Sequence, residues 1–544
     1  VTRPPEVEKA LAAAKAEVTR PQIELGFDYG PVLDAVEQAL VGNDGGRPIY
    51  VWNNALARLS AASAHADPRI RETIFDEQPV VEVAPAPWLL ERMTSVAEFG
   101  SWRKPANGDP ILARAHPPER LSRMLAARGA WRHFRTLTGL IEAPCLRPDG
   151  SILDAAGHDA ASGLVLLPRG TFPQIPERPT KDDARRALER LCVPLGDFPF
   201  LEPCDLSAAL AAILTNVGRY SIAGPAPMFF FRSPIRGSGK TLLQKIVGVI
   251  GSGRMPAMRF NIRDPGEVRK QLAALAWAGV RYVAIDNVAT GESFGNEVWA
   301  AALSTGRIED RVLGKSETRS ASLLGITFTG SGNNTTFRCD LGRRVVPVDI
   351  DPKCEQPEGR QDYAISPLDQ WVVRNWRSLL VDALTVLRAH AVAGWPKHGG
   401  APRGSFEVWD ERVRGALIWA GMTDPAIGCV RIHDESDDDV MALDAVIREW
   451  NTVWGTEPVT LADVVATAHG HGAITDGQAT ALREALEEFA NASPKRPLSA
   501  TTLGYAMRAV RGRVKSGLRF VQASKLTGDR RWKLEFVSAS GGAA

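Results

Sequence analysis

The stretch YSIAGPAPMFFFRSPIRGSGKTLLQKIVGVI, Tyr220 to Ile250, decides how the rest of the chain is read. A small-residue and proline segment passes into the apolar run Met228 to Phe231, whose length and aromatic content predict a buried strand. A glycine-bearing turn follows. Beyond Thr241, apolar residues fall at Leu242, Leu243, Ile246, Val247 and Ile250, the spacing of one helical face. Strand, turn and helix in that order suit a phosphate-binding loop. Backbone N–H groups can curl round phosphate oxygens only where no Cβ intrudes, and a helix start carries the positive end of the dipole. Gly237 and Gly239 meet the first requirement. Lys240 is placed to set an ammonium on the β/γ-phosphates, and Thr241 to offer its hydroxyl to Mg²⁺. The expected binding set for ATP is Pro234, Arg236, Gly237, Ser238, Gly239, Lys240, Thr241 and Leu242. The usual spacing GxxxxGK(S/T) has glycine where this chain has Pro234, which can hold the turn but donates no N–H, so one phosphate contact is lost.

The remaining parts of an ATPase follow in order. Glu267 to Trp277 reads as an amphipathic helix, and VRYVAIDNV (Val280 to Val288) as a buried strand ending at Asp286, a carboxylate able to hold Mg²⁺ through water. The next position is Asn287, which can orient water without accepting its proton; Glu292 is the candidate base. A third strand, LLGITFTGSGNN (Leu323 to Asn334), brings Asn333 or Asn334 toward the γ-phosphate. Arg343 and Arg344 come soon after, in CDLGRRVVPVDID. Two adjacent arginines suit a solvated face. They also suit a finger that reaches a neighbour's γ-phosphate, worth ~10³–10⁵ in rate, which requires a ring of subunits.

At 544 residues the chain needs about three or four domains of ~100–200 residues each. Apolar residues at 44% and charged residues at 24% describe an ordinary globular protein, and a net charge of +2 excludes a wholly basic wrap for nucleic acid, so any such contact is local. Six dispersed cysteines without a CxxC pair argue against a zinc knuckle and a disulfide framework, and favour a reducing, cytoplasmic setting. No apolar run is long enough to span a membrane and no signal peptide is apparent. The opening Val1 suits a fragment or an alternative start, and leaves open whether a further domain stands upstream.

The N-terminal region, 1–175, reads as α+β: helices at Glu6 to Val18 and Val32 to Leu40, a strand at Pro48 to Trp52, and a strand and helix from Val80. A further helix opens after Pro117 and Pro118, and a hairpin is expected around the PDG turn between Leu140 and Leu167. His158 and Asp159 sit together there, and a turn-stabilising Asp beside a surface histidine is preferred over a metal or acid/base pair. TFPQIPERPT, with three prolines in ten residues, is the linker to the core. Thr180 caps the next helix, and Leu206 to Val217 forms another.

Beyond the core, Leu368 to Val392 is a long helix and WPKHGGAPRGS a linker. Phe406 to Gly421 is a helix with Trp409, Val413, Leu417 and Trp419 in its core, and DESDDDV (Asp434 to Val440) reads as a solvated acidic loop. From Pro458 to Val537 come three helices and a hairpin turning at Thr527-Gly528-Asp529, the order of a winged helix. Arg508, Arg511, Arg513, Lys515, Arg519, Lys525, Arg530, Arg531 and Lys533 concentrate positive charge there, suited either to phosphates of duplex DNA or to a basic solvated face.

The phosphate loop, the IDN strand, the TGSGNN strand and the trailing arginines, with PCLRPDGSILDAAGHDAASGL, GDFPF and LGRRV beside them, resemble the AAA+ core of superfamily 3 helicases and, more closely, phage and integrated-element primase-helicases. The resemblance covers roughly Pro144 to Ile350. It implies an α/β fold with a P-loop AAA+ ATPase core, an N-terminal α+β region of primase-associated character and a C-terminal winged-helix-like domain. It also implies a DNA-translocating homo-hexamer using ATP and Mg²⁺. Lys240, Thr241 and Asp286 then lie at the nucleotide, with Thr241 and Asp286 on the metal, Asn333 or Asn334 is the sensor, and Arg343 or Arg344 the finger in trans. A hairpin before the sensor strand grips single-stranded DNA in that family's pore; Glu309 to Ser320 occupies its place, with Arg311 and Lys315 as its DNA-binding residues. Arg508, Arg511, Arg513 and Arg530 are the expected duplex contacts. The domain limits that follow are 1–175, 176–395 for the ATPase core with its leading helices, 396–457 for a helical region, and 458–544. Two rival readings stand beside the helicase: a slow-hydrolysing, ATP-switched initiator or loader, which Asn287 favours, and a DNA-binding protein with a degenerate ATPase.

Overall fold

The structure, a computed structural model, describes residues 20–61, 79–105, 109–260, 263–288, 293–311, 318–354, 356–435, 438–490, 492, 497–512, 514–523 and 531–537. Two compact units divide the chain: Val1–Thr335 with Cys339–Gly428, and Thr336–Arg338 with Cys429–Ala544. The architecture is mixed α/β, with several separate sheets.

The first unit is organised on a five-stranded parallel sheet. Its strands are β1 (Met228–Ser233), β2 (Met258–Phe260), β3 (Tyr282–Val288), β4 (Thr327–Asn333) and β5 (Val345–Asp349). Every residue of β1, β4 and β5 is buried, as a parallel sheet covered on both faces requires, which explains the unbroken apolar run at Met228 to Phe231. The spatial order is β2-β3-β4-β1-β5. From β1 the chain crosses to the far edge, returns through β3 and β4 to flank β1, then places β5 on its other side. Strand order therefore reverses at β1, and the crevice beyond the strands' carboxyl ends at such a point is where open α/β sheets bind ligands. The helix α1 (Lys240–Ser252) leaves β1 and is tied to the sheet by Gln244, whose buried Nε2 donates to Ile285 O (3.1 Å) and Thr329 Oγ1 (3.2 Å).

Other elements follow the sequence expectations closely. Thr180 and Asp183 form a capping box on the helix Lys181–Cys192. Helices occupy Pro203–Val217, Pro265–Trp277 and Leu368–Val392, and the two proline-bearing linkers carry no regular structure. Trp409, Val413 and Leu417 are buried, while Trp419 is half-buried under Lys181. The helix through Phe406 to Gly421 contains a π-helical turn at Asp410–Arg414. Arg307–Arg311 and Thr318–Ser322 pair as an antiparallel ribbon whose tip, with Lys315, lies outside the described residues.

Toward the N terminus, Tyr29–Gly42, Ala86–Val96 and Glu119–Ala127 are helical and pack on two small sheets around Leu40, Leu89, Met93 and Leu125. The helix expected at Glu6 to Val18 lies outside the described residues. This region is fastened to the core sheet's surroundings by an Arg254 Nε–Glu142 Oε2 bond of 2.8 Å and by Trp52 Nε1 donating to Trp277 O at 2.9 Å. Cys145–Leu146 and Ile152–Leu153 pair around the PDG turn. Asp159 accepts two bonds from Arg147 at 3.0 Å each and one from Ser162 N, which agrees with a turn-stabilising role.

The second unit contains the helices Leu461–Ala468, Asp476–Phe489 and Ala500–Ala509 and a four-stranded antiparallel sheet, around a core that includes Trp450, Leu486, Met507, Phe520 and Leu534. The hairpin strands Leu518–Gln522 and Arg531–Phe536 pair as expected, while their turn lies outside the described residues. The acidic run at Asp434 to Val440 differs from its reading as a loop. Helix Cys429–Glu435 enters it and helix Asp438–Trp454 leaves it, and acidic residues suit a helix's first turn because of the positive dipole end there. Among the described residues, no helix is long and apolar enough to cross a membrane.

Candidate active site

The loop after β1 turns on two glycines in the left-handed region, Gly237 (φ 70°) and Gly239 (φ 91°), where a Cβ would be strained. Gly239 is the residue on which α1 begins. The backbone N–H groups of Gly237, Ser238, Gly239, Lys240, Thr241 and Leu242 donate to no backbone carbonyl. Six donors converging at a helix start make an anion cradle. The cleft above it, about 580 Å³, is lined by Arg236 to Leu242 and by side chains from three neighbouring strands: Met258 and Arg259 from β2, Asp286 and Asn287 from β3, and Ser331 to Asn333 from β4.

Lys240 Nζ donates to Ile235 O (2.9 Å) and Ser238 Oγ (2.7 Å), folding back on its own loop. Burial pushes this ammonium down to about 8, against the opposing charge of Asp286. Asp286 Oδ1 accepts from Thr241 Oγ1 (3.0 Å) and Ser331 Oγ (2.6 Å). Thr241 and Asp286 thus present adjacent oxygens, the hard ligands that Mg²⁺ takes, and the carboxylate is held in place by the β4 hydroxyl. Asn333 is 8% exposed and its Oδ1 is buried without a hydrogen-bond partner. A buried orphan amide beside an anion cradle fits a site completed by a ligand or its water. The donor set, the oxygen pair and the orphan amide fit a magnesium nucleoside triphosphate.

The other sequence candidates are distributed differently. Pro234 and Asn334 do not line the cleft, and Asn334, at φ 45°, donates its N–H to Ser233 O. Asn287 lines it from the exposed side with φ 59°, and Glu292 lies outside the described residues. Arg343 and Arg344 part company: the Arg343 side chain is 72% exposed and paired with Asp340, whereas Arg344 is 18% exposed and bonded to Ser304 Oγ and Asp340 O. Arg311 is exposed at the ribbon's end, away from the cleft lining. In the second unit, Arg508 stacks on Tyr505 at 4.6 Å and Arg511 is exposed, while Arg513 and Arg530 lie outside the described residues.

Sequence reasoning missed three features here. Ser331 lies inside the TGSGNN strand, whose reading singled out only the asparagines. Arg259 sits on a three-residue strand too short to show a period. A second cavity of about 680 Å³ borders the same loop at Gly237, Ser238, Gly239 and Leu242, walled by Phe198, Pro199, Tyr363, Ile365 and Pro367 with Asp197 and Arg360 at its polar side. Its walls come from segments more than 150 residues apart; the GDFPF motif was the one available signal. Asp197 joins the two walls, accepting from Arg360 Nη2 (3.3 Å) and Ala364 N (2.8 Å).

No protein-family model and no curated protein sequence matches the chain. Among solved structures, it is similar to the apo A form of the NrS-1 C-terminal region at 11% identity and a TM-score of 0.34, covering 92% of this chain and 98% of that one. A structure of residues 305–718 of that region gives 12% and 0.36 over the same shares. A structure titled SCCmec type IV Cch, active helicase, gives 10% and 0.31, covering 84% of this chain and 99% of that one. Likeness at this distance carries no argument about activity.

Proposed function

We propose that the chain is an ATP-driven DNA helicase or translocase that works as a ring, a homo-hexamer, in phage or mobile-element DNA replication. The observation that carries the nucleotide half of this reading is the cleft itself, where a free N–H cradle, Lys240, the Thr241–Asp286 pair and the orphan Asn333 amide face one volume. The base enters the second cavity, whose aromatic and proline walls suit a flat apolar ring, and the phosphates run along the loop. Thr241 and Asp286 would hold Mg²⁺, which would supply neutralising charge to the phosphates. Lys240 gives up its contact with Ile235 O for phosphate, and Asn333 reads the terminal phosphate or orients the attacking water. For DNA, the reading rests on the ribbon ending at Arg311, in the place from which related rings grip a single strand, and on the basic residues Arg508, Arg511, Arg513 and Arg530, which suit duplex phosphates. Of the arginine pair, Arg343, with its side chain 72% exposed against 18% for Arg344, is the one assigned as a finger in trans, and it would exchange its Asp340 partner for the neighbour's phosphate.

A second reading, a slow ATP-switched initiator or loader, is favoured by one observation: among the described residues, Asp286 is the sole carboxylate lining the cleft, and it is already engaged. ATP turnover with and without single-stranded DNA, beside strand separation of a forked duplex, decides between them. A helicase gives DNA-stimulated turnover and separated strands. Slow, DNA-insensitive turnover with nucleotide-dependent DNA affinity selects the switch and rejects the helicase.

A further inference from the structure

We propose that Arg259 is a catalytic residue of this cleft, acting from within the same chain: its guanidinium pairs with the terminal phosphate of the bound nucleotide and stabilises the charge that develops there. The inference rests on the nucleoside-triphosphate reading of the cleft. Three observations lead to it.

The first is position along the sheet. The second cavity, where the base belongs, is walled by residues that flank β5, and the phosphate loop extends from β1. Moving away from β5, the order is β1, then β4 with Asn333, β3 with Asp286, and β2 with Arg259. A nucleotide whose base lies on the β5 side and whose phosphates cross the loop points its terminal phosphate toward β3 and β2. Arg259 pairs with Ile285, one residue below the level of Asp286. A long side chain there stands at the terminal-phosphate end of the cleft.

The second is the company this arginine keeps. Three buried or half-buried arginines of the same unit have their guanidinium paired within the protein: Arg232 by Asp349, Arg254 by Glu142, and Arg219 by three backbone carbonyls. Arg259 is half-buried, yet no hydrogen bond or ion pair to its guanidinium exists among the described residues, and burial alone pushes its pKa down. An unpaired cation at such a place is costly unless an anion arrives to pair with it.

The third is charge. Arg236, Lys240 and Arg259 face the cleft against one carboxylate, Asp286. The excess is positive and suits a magnesium nucleoside triphosphate, which carries net negative charge after its metal is counted. In the step itself, water adds to the γ-phosphorus as the bridging P–O bond to the β-phosphate breaks, giving nucleoside diphosphate and inorganic phosphate, with the proton of the attacking water released to solvent. Arg259 neither gives nor takes a proton, because guanidinium stays charged, and so its contribution is electrostatic.

The test compares Arg259→Gln, Arg259→Lys and Lys240→Ala in the full chain, measuring MgADP binding, binding of a non-hydrolysable imido analogue of MgATP, and single-turnover hydrolysis. Arg259→Gln is expected to keep MgADP affinity, to lose about ten- to a hundredfold of its preference for the triphosphate, and to hydrolyse ~10²–10³-fold more slowly. Arg259→Lys, which keeps charge but not the planar fork, should fall between the two. If the glutamine variant is shown by thermal melting to be unfolded, the lysine variant's graded loss carries the same test. Wild-type turnover and wild-type triphosphate preference in either folded variant overturns the proposal. The nucleotide reading is judged separately: if Lys240→Ala binds MgADP as wild type does, that reading fails and takes Arg259 with it, whereas a loss there beside a silent Arg259 rejects Arg259 alone.

Discussion

Raising the pH is expected to weaken nucleotide binding through a single group, Lys240. Its ammonium folds back onto Ile235 O and Ser238 Oγ, and burial has brought its pKa from 10.5 to about 8. A phosphate beside it favours the charged form and raises the value again, so the binding-competent lysine is the protonated one. Below about pH 8 the free protein already carries that proton and affinity is flat. Above it, binding must take a proton up, and affinity falls as pH rises until the bound-state pKa is reached. With a free value near 8, the protonated fraction falls from ~0.9 at about pH 7 to ~0.1 at about pH 9, a loss of about tenfold in affinity. Stability moves the other way. Between the folded value of about 8 and the ordinary 10.5 the unfolded chain binds more protons than the folded one, so this group's contribution to stability rises with pH in that window. Opposite signs separate local titration from alkaline unfolding. The assay is a fluorescence titration with a labelled ATP analogue in excess Mg²⁺, repeated on Lys240→Arg, whose guanidinium keeps its proton throughout and whose affinity should be flat. A flat wild-type profile, or an equal fall in the arginine variant, refutes the reasoning.

Asp286→Asn should raise the Mg²⁺ concentration needed for half-maximal hydrolysis by about 10–100-fold, with metal-free nucleotide binding little changed, since Thr241 and Ser331 retain a partner oxygen at that position; an unchanged metal dependence removes Asp286 from the metal site. Mixing Arg343→Ala with Lys240→Ala in equal amounts should restore up to about a quarter of wild-type sites in a ring, because each protein brings what the other lacks, and the recovery should depend on protein concentration. A fully active Arg343→Ala variant, or no recovery on mixing, excludes a finger in trans.

What could be read in advance follows a physical divide. The Met228 to Phe231 strand, the glycine turn and Lys240 lie within one short stretch, where spacing and periodicity are themselves the signal. The TGSGNN strand named two asparagines equally, and burial separated them: Asn333 lines the cleft, while Asn334 lies past the strand end at positive φ. Neighbouring arginines pose the same problem, since only tertiary packing puts Arg344 against Ser304 and leaves Arg343 outside. The second cavity was illegible except through GDFPF because its walls meet only after the chain has closed around β5. That meeting is visible in Leu201 N donating to Asp349 O (3.0 Å) and Asp351 N to Pro199 O (2.8 Å).

Position 287 shows how backbone and chemistry become confounded in a motif. Read as a sequence, asparagine after Asp286 is a missing catalytic glutamate. In the fold, β3 changes register against β4 between Ile285 and Val288, and Asn287 sits at φ 59° in that irregularity. Asparagine tolerates the left-handed region, whereas an ordinary side chain there costs roughly 1–2 kcal/mol. Asn287 is therefore explained by the turn that aims Asp286 at Thr241 and Ser331, whether or not it touches water. A glutamate placed there would have to overcome that backbone cost before it could act as a base, and relaxing the turn to admit it would disturb the Asp286 carboxylate proposed as the metal ligand. The two demands oppose each other at adjacent residues. On the reading proposed above, stabilising charge on the terminal phosphate through Lys240, Asn333 and Arg259 is a route to catalysis that leaves the Asp286 geometry intact.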